Sequence, residues 1–296
     1  MKKLRIVLSF ALLCITIAIF GYYLAHHTNL LHQLMQTNPL VIVALLVCYS
    51  GITLSLAAVL SISVRLCNKN IEPRASLGVT ITSSIANFFG PLQSGIGIRT
   101  IYLKKRLGVN IKNYALVTLY YFGFYAVWSG LLLVLGSPKF RVPLAILLVG
   151  GSVAVALVIK KQSKNLNYNA RTTEFVGALG ASVAAQVVLT ALAYFIELSA
   201  SGAHVTPLQA VSYTGAANFA LFVAITPGAI GIREAFLVFS QKLHQISVSH
   251  IVSASILDRA VYVLFLLIAL LIVWATHTKD NLQLTPSEEN NGAAKK

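Results

Sequence analysis

The chain has 296 residues, 57% of them hydrophobic and only 10% charged, with a mean hydropathy of +0.77. Soluble domains carry about 25% charged residues, so this composition excludes a water-soluble fold and points to a protein embedded in a bilayer. The formal charge of +15 comes from 23 Lys and Arg set in short stretches between apolar runs; they form no continuous basic face, which excludes a nucleic-acid partner.

Helices are the expected solution in lipid, because each span must satisfy its own backbone amides. The apolar runs do not alternate in polarity as β-barrel strands would. The first run, 4–24, follows Lys2, Lys3 and Arg5. No small-x-small cleavage site follows it, so it reads as a retained span with the N-terminus in the cytoplasm. The next segment, "AHHTNLLHQLMQTNP", has no Lys or Arg, as an outer loop should. A second run, 40–64, leads back to Arg65, Lys69 and Arg74.

The run 76–98 differs, because "FFGPLQSGIGI" interrupts it. Proline removes an amide donor and glycine weakens a helix. A second basic loop is expected to follow, with Arg99, Lys104, Lys105, Arg106 and Lys112. Two basic stretches around one run are reconciled if the run enters from the cytoplasm and returns, as a re-entrant or broken-helix hairpin.

Runs 113–135 and 142–159 then go out and back to Lys160, Lys161, Lys164 and Arg171, although Lys139 and Arg141 lie on the outer turn. Run 174–200 exits again. Run 206–232, interrupted by "ITPGAIGI", reads as a second hairpin, entering from outside, and 251–276 returns the chain to the cytoplasm. The expected architecture is an all-α polytopic membrane protein with six full spans and two hairpins, in one domain over 1–277; the alternative is eight full spans. Residues 278–296 are polar, can bury almost nothing, and are expected to be a disordered tail.

The two interrupted runs share an ordered set of elements. The first has "ANF" at 86–88, Pro91 and "IGIR" at 96–99; the second has "ANF" at 217–219, Pro227 and "IGIR" at 230–233. Opposite entry makes them an inverted repeat, the arrangement in which many transporters line a site with broken helices near the membrane middle. Asn87, Pro91, Gly95 and Gly97 in the first copy, and Asn218, Pro227, Gly228 and Gly231 in the second, are the candidates for opening the backbone and capping the broken ends.

The blocks "GPLQSGIGIRTIYLKKRLGV" and "TPGAIGIREAF", the latter followed by "ILDRAVYVLFLLIAL", resemble the lysylphosphatidylglycerol synthase transmembrane-region family of flippase-like membrane proteins. Pro227, Gly228, Gly231, Arg233 and Glu234 match its Pro-Gly-x-x-Gly-x-x-Glu-like pattern, and Arg259 matches an arginine of its last span. The resemblance implies lipid handling. In larger members the membrane module is fused to a soluble aminoacyl-transferase; others are tied to polyprenyl-linked sugars or hopanoids. With only 278–296 after the last run, lysine transfer is not expected of this chain.

Arg99, Arg233 and Arg259 are the candidate headgroup ligands, since a guanidinium grips phosphate with a planar fork. Glu234 and Asp258 are candidate ion-pair or gating partners, Asp258 and Arg259 lying inside an apolar run where charge suggests function. The bland alternatives are positive-inside placement for Arg99 and a neutralised structural pair for Asp258 and Arg259. Glu197, near the end of its run, reads as a solvated interfacial carboxylate. Gln186 is expected to bond between helices, and Tyr120, Tyr121, Tyr125 and Trp128 to pack. Cys14, Cys48 and Cys67 are given packing roles without a disulfide.

The seven scattered His show no metal-ligand spacing, and no nucleotide, dinucleotide or hydrolase motif occurs. The expectation is therefore a lipid transporter of the inner (cytoplasmic) membrane, without cofactor or metal, acting on an anionic phospholipid or a polyprenyl-phosphate-linked lipid. A separate lipid synthase or glycosyltransferase is its possible partner. The alternatives are a membrane-embedded lipid or glycosyl transferase using Asp258 or Glu234 as base, and a non-transporting scaffold.

Overall fold

The computed structural model describes residues 35–89, 94–162, 170–222 and 231–276, and these are helical apart from short connections. The expected first span (4–24), Pro91, Pro227, Gly228, Cys14 and the tail lie outside the described residues. Helix α1 (Pro39–Leu66) starts where Asn38 Oδ1 accepts Leu40 N–H at 2.9 Å and Pro39 takes the first helical position. After it come α2 (Pro73–Phe89) and α3 (Ser94–Leu107), then α4 (Ile111–Gly136), capped by Asn110 on Lys112 N at 2.9 Å.

A 3₁₀ turn at Pro138–Phe140 leads into α5 (Arg141–Gln162), followed by α6 (Ala170–Ala200). Helix α7 (Pro207–Phe222) opens with a reciprocal cap: Thr206 N donates to Gln209 Oε1 (2.9 Å), and Gln209 N to Thr206 Oγ1 (3.3 Å). Short α8 (Ile232–Phe239) and α9 (Gln241–His244) precede the long α10 (Val248–Thr276).

Among the described residues, four segments are long and apolar enough to cross a membrane: Pro39–Leu66, Ile111–Gly136, Thr172–Ala200 and Val248–Val273. They coincide with four of the expected runs. The run 142–159 falls within α5, which leaves Val142, Ile146, Leu147, Val149, Val153 and Leu157 exposed. Leu40, Val43, Val47 and Leu54 do the same on α1, and Leu271 and Ile272 on α10. Exposed apolar surface on this scale fits lipid as solvent rather than water. The chain is a multi-pass membrane protein.

Both interrupted runs are helix–break–helix units whose arms pack on each other. The first differs from expectation in its extent. Arg99, Lys104, Lys105 and Arg106 belong to α3 and not to a loop, because helix resumes at Ser94 and runs unbroken to Leu107. In the second, Gly231 turns the chain with φ 80° and α8 begins at Ile232, where the run was expected to end.

Helices α1, α2, α6 and α10 share one core, in which Leu45, Tyr49, Ile81, Phe88, Ala193, Leu257, Val261 and Leu266 meet. A second core joins α4, α6, α7, α8 and α10 through Leu133, Leu198, Tyr213, Leu237 and Ile251. Helices α4 and α7 approach closely, since a Cβ on Gly136 would lie 2.5 Å from Ser212 N. Helix α10 therefore stands between the two units, with residues in contact with both.

Candidate functional site

Each unit carries one arginine at the same place in its shared block, and both side chains reach a single cavity. In the first unit Asn87 Oδ1 accepts Gly95 N–H at 2.7 Å, and Ser94 Oγ donates to Ala86 O at 2.6 Å, fastening the start of α3 to the end of α2. The arms are so close that a Cβ on Gly95 would stand 2.2 Å from Ser83 O. Gly97 instead lies within regular helix, exposed, with open space beside it. This clamp sets where Arg99, one turn further on, points. Its Nε is buried without a hydrogen-bond partner, and it makes no ion pair among the described residues.

The second unit is held differently. Glu234 Oε2 accepts Gly231 N–H at 2.8 Å, satisfying an orphan amide at the start of α8. Its Oε1 accepts from Arg259 Nη2 at 2.5 Å and from Ser255 Oγ, both on α10. Both carboxylate oxygens are thus committed to holding α8 against α10. Arg233 is buried at 8% exposure. It donates through Nη1 to Asp258 Oδ2 (2.6 Å) and Tyr194 Oη (3.3 Å), and through Nη2 to Ser255 Oγ (3.1 Å). Its Nε, 3.6 Å from Glu234, is too far for a hydrogen bond, and neither it nor Arg259 Nε has a partner among the described residues.

Asn218, the counterpart of Asn87, donates from Nδ2 to Ser129 Oγ on α4 at 3.0 Å. Its Oδ1 is buried without a partner among the described residues.

The cavity these groups share has a volume of about 320 Å³, within the range of about 300–1,000 Å³ for small-molecule sites. Arg99, Arg233, Arg259 and Asp258 line it, together with the aromatic residues Phe88, Phe122, Phe222, Tyr121, Tyr125 and Tyr262. Tyr121 also meets Gln186, hydroxyl to amide, at 3.3 to 3.4 Å, the interhelical bond expected of that glutamine. Trp128 packs between helices, donating Nε1–H to Gly180 O at 3.1 Å.

One reading is corrected. Glu197 is not a solvated carboxylate: it is 1% exposed and lies 2.8 Å from Tyr49 Oη. The reason is the length of α6, 31 residues, or about 46 Å at 1.5 Å per residue, whose last turns are covered by α7, α8 and α10. Tyr49 in turn lies 2.6 Å from Asp258 Oδ1, joining Glu197 to the arginine cluster. Glu197 carries the signal of an acid in an apolar run, whereas nothing in the local pattern around Tyr49 marks it.

No curated protein sequence matches the chain. A family model does, that of the lysylphosphatidylglycerol synthase transmembrane region, over residues 4–270. That span takes in both helix–break–helix units, α10 as far as residue 270, and every charged residue of the cavity. The chain therefore belongs to the lysylphosphatidylglycerol synthase transmembrane-region family, a family of membrane domains.

Proposed function

We propose that the protein binds the headgroup of an anionic lipid, a phospholipid or a polyprenyl-phosphate-linked lipid, and carries it between leaflets of the inner membrane. One observation carries this reading. Three guanidiniums from α3, α8 and α10 converge on one cavity, and that of Arg99 has no carboxylate partner among the described residues. The Nε of Arg99 is buried without a hydrogen-bond partner among the described residues, and a phosphate oxygen would supply both an acceptor and the missing counter-charge. The aromatic residues lining the cavity suit the glycerol and upper acyl region.

In this reading the two units are re-entrant hairpins of opposite entry, added to six full spans with both termini cytoplasmic. The length of α8 supports it: 8 residues rise only about 12 Å, well short of a hydrocarbon core of about 30 Å. A carrier is favoured over an enzyme because Glu234 has both oxygens engaged and Asp258 is held by Arg233 and Tyr49, leaving neither free as a general base.

The test is leaflet exchange of a fluorescent phosphatidylglycerol in vesicles containing the purified protein. Arg99→Ala is expected to slow exchange by about tenfold or more, since a hydrogen bond to a charged group contributes about 1.5–3 kcal/mol. Headgroup conversion detected by mass spectrometry, without exchange, would overturn the carrier in favour of an enzyme.

A further inference from the structure

The hydrogen bonds around Tyr49 require one more proton than the phenol supplies. Tyr49 Oη is 2.8 Å from Glu197 Oε1 and 2.6 Å from Asp258 Oδ1. A phenol has one O–H and donates once, so the second short contact must run the other way, from a protonated carboxyl to the phenol oxygen. The surroundings say which acid is protonated. Asp258 has Arg233 on its other oxygen at 2.6 Å, and its 2.6 Å contact with Tyr49 has the length of an O–H donating to a carboxylate. Glu197 has no ion pair among the described residues, and its 2.8 Å contact matches a neutral O–H···O bond.

The groups facing Glu197 bear this out. They are Cys48 and Tyr49 from α1, Tyr194 on its own helix, Tyr213 from α7, Arg233 from α8 and Asp258 from α10. His250 of α10 is held a turn further on by Ser201 O, at 3.2 Å. Among the described residues the one cation facing Glu197 is Arg233, already paired with Asp258.

We infer that Glu197, Tyr49 and Asp258 form a proton-binding site loaded together with the anionic headgroup, making the protein a proton–lipid symporter; the coupling rests on the lipid-binding reading above. Charge balance supplies the mechanism. With Glu197 protonated, the guanidiniums of Arg99, Arg233 and Arg259 face two carboxylates, Asp258 and Glu234, leaving one positive charge for one phosphodiester. When Glu197 loses its proton to water the cluster is neutral and the phosphate has no uncompensated cation to meet. Proton and lipid thus favour each other's binding, and by linkage the effect is reciprocal.

The probe is dioctanoylphosphatidylglycerol, added to the full-length protein in a zwitterionic detergent and followed by calorimetry in buffers of different ionisation enthalpy. Affinity is expected to strengthen by up to about tenfold per pH unit on acidification across the titration range, with uptake of about one proton per lipid. Glu197→Gln, which mimics the protonated acid, should bind tightly at all pH values with no proton exchange. Lipid binding by the native protein that is independent of pH would overturn the coupling and leave the lipid site standing.

Infrared spectroscopy reads the proton site without lipid. A protonated-carboxyl band, absent in Glu197→Gln and shifted in its titration by Tyr49→Phe, is expected, and its absence from the native protein would overturn the site. Should the band be present while the probe binds at no pH, the proton site stands, while the lipid reading and the symport built on it fall.

Discussion

The two helix–break–helix units share a sequence block and use it to opposite ends. In α2–α3 the arms are tied to each other by Asn87 and Ser94, and Arg99 has no ion pair among the described residues. In α7–α8 the asparagine bonds across to α4, and the arginine is locked to Asp258 of α10. The difference starts one residue away: Thr100 follows Arg99, where Glu234 follows Arg233. Thr100 bonds back within its own helix to Ile96 O at 2.8 Å, whereas Glu234 binds α8 to α10. Matching sequence blocks thus leave one arginine without a carboxylate partner among the described residues and tie the other into the packing of α8 on α10. Equivalent position in a repeat does not fix electrostatic role; the neighbouring charges do.

The sharpest way to break this comparison is to remove the counter-ions. Asp258→Ala leaves Arg233 buried and short of its closest partner, and truncating one side of a buried pair costs about 3–5 kcal/mol. Arg99→Ala removes a side chain with no carboxylate partner among the described residues and should change stability by no more than about 0.5 kcal/mol. Thermal unfolding of the two variants in detergent measures this directly. Equal losses would mean that Arg99 is as structural as Arg233.

The packing of the first unit offers the next largest effect. Gly95→Ala drives a Cβ to within 2.2 Å of the Ser83 carbonyl and must push the arms apart, at a cost of about 1–3 kcal/mol. It should also displace Arg99 and slow lipid exchange. Gly97→Ala, two residues on with open space around it, should leave exchange intact and raise stability by up to about 1 kcal/mol through helix propensity. Comparable damage from both would show that the unit is loosely packed rather than clamped.

The smallest effect distinguishes the units by acid sensitivity. His244, after the second unit, packs edge-on against Tyr213 of α7. It accepts Ile246 N–H on Nδ1 at 3.2 Å and sits 2.9 Å from Leu237 O through Nε2. The neutral ring with its proton on Nε2 satisfies both contacts. Burial holds its pKa below the ordinary value of 6.5. A folded pKa below the unfolded one means that stability is complete above pH 6.5 and is lost as pH falls through the depressed value. Unfolding temperature measured between pH 7.5 and pH 5 should therefore decline less steeply in His244→Gln than in the native protein.

How much of this was legible beforehand varies along the chain. Four spanning helices could be placed because a run of apolar residues is a local property, recorded in consecutive positions. The separation of α2 from α3 and of α7 from α8 was foreshadowed by the interruptions in runs 76–98 and 206–232, and the shared "ANF" and "IGIR" blocks placed Arg99 and Arg233 at matching positions. The end of α3 was misplaced, because Lys104, Lys105 and Arg106 read as a basic loop, yet they extend a helix whose Leu103 is buried against α1, α2 and α4. Glu197 was misread for a similar reason, since proximity to the end of an apolar run suggests water when the end is bare.

The sequence by itself determined a membrane protein, its helical class, the positions of its breaks and the identity of its intramembrane charges, all of which follow from composition and short-range order. Only the tertiary structure decided which charges meet. Arg233 and Asp258 are 25 positions apart, and Tyr49 and Glu197 are separated by 148. Their contacts depend on α10 standing between the two units and on α6 lying along α1, and such long-range packing is set by the summed fit of many apolar side chains rather than by any motif.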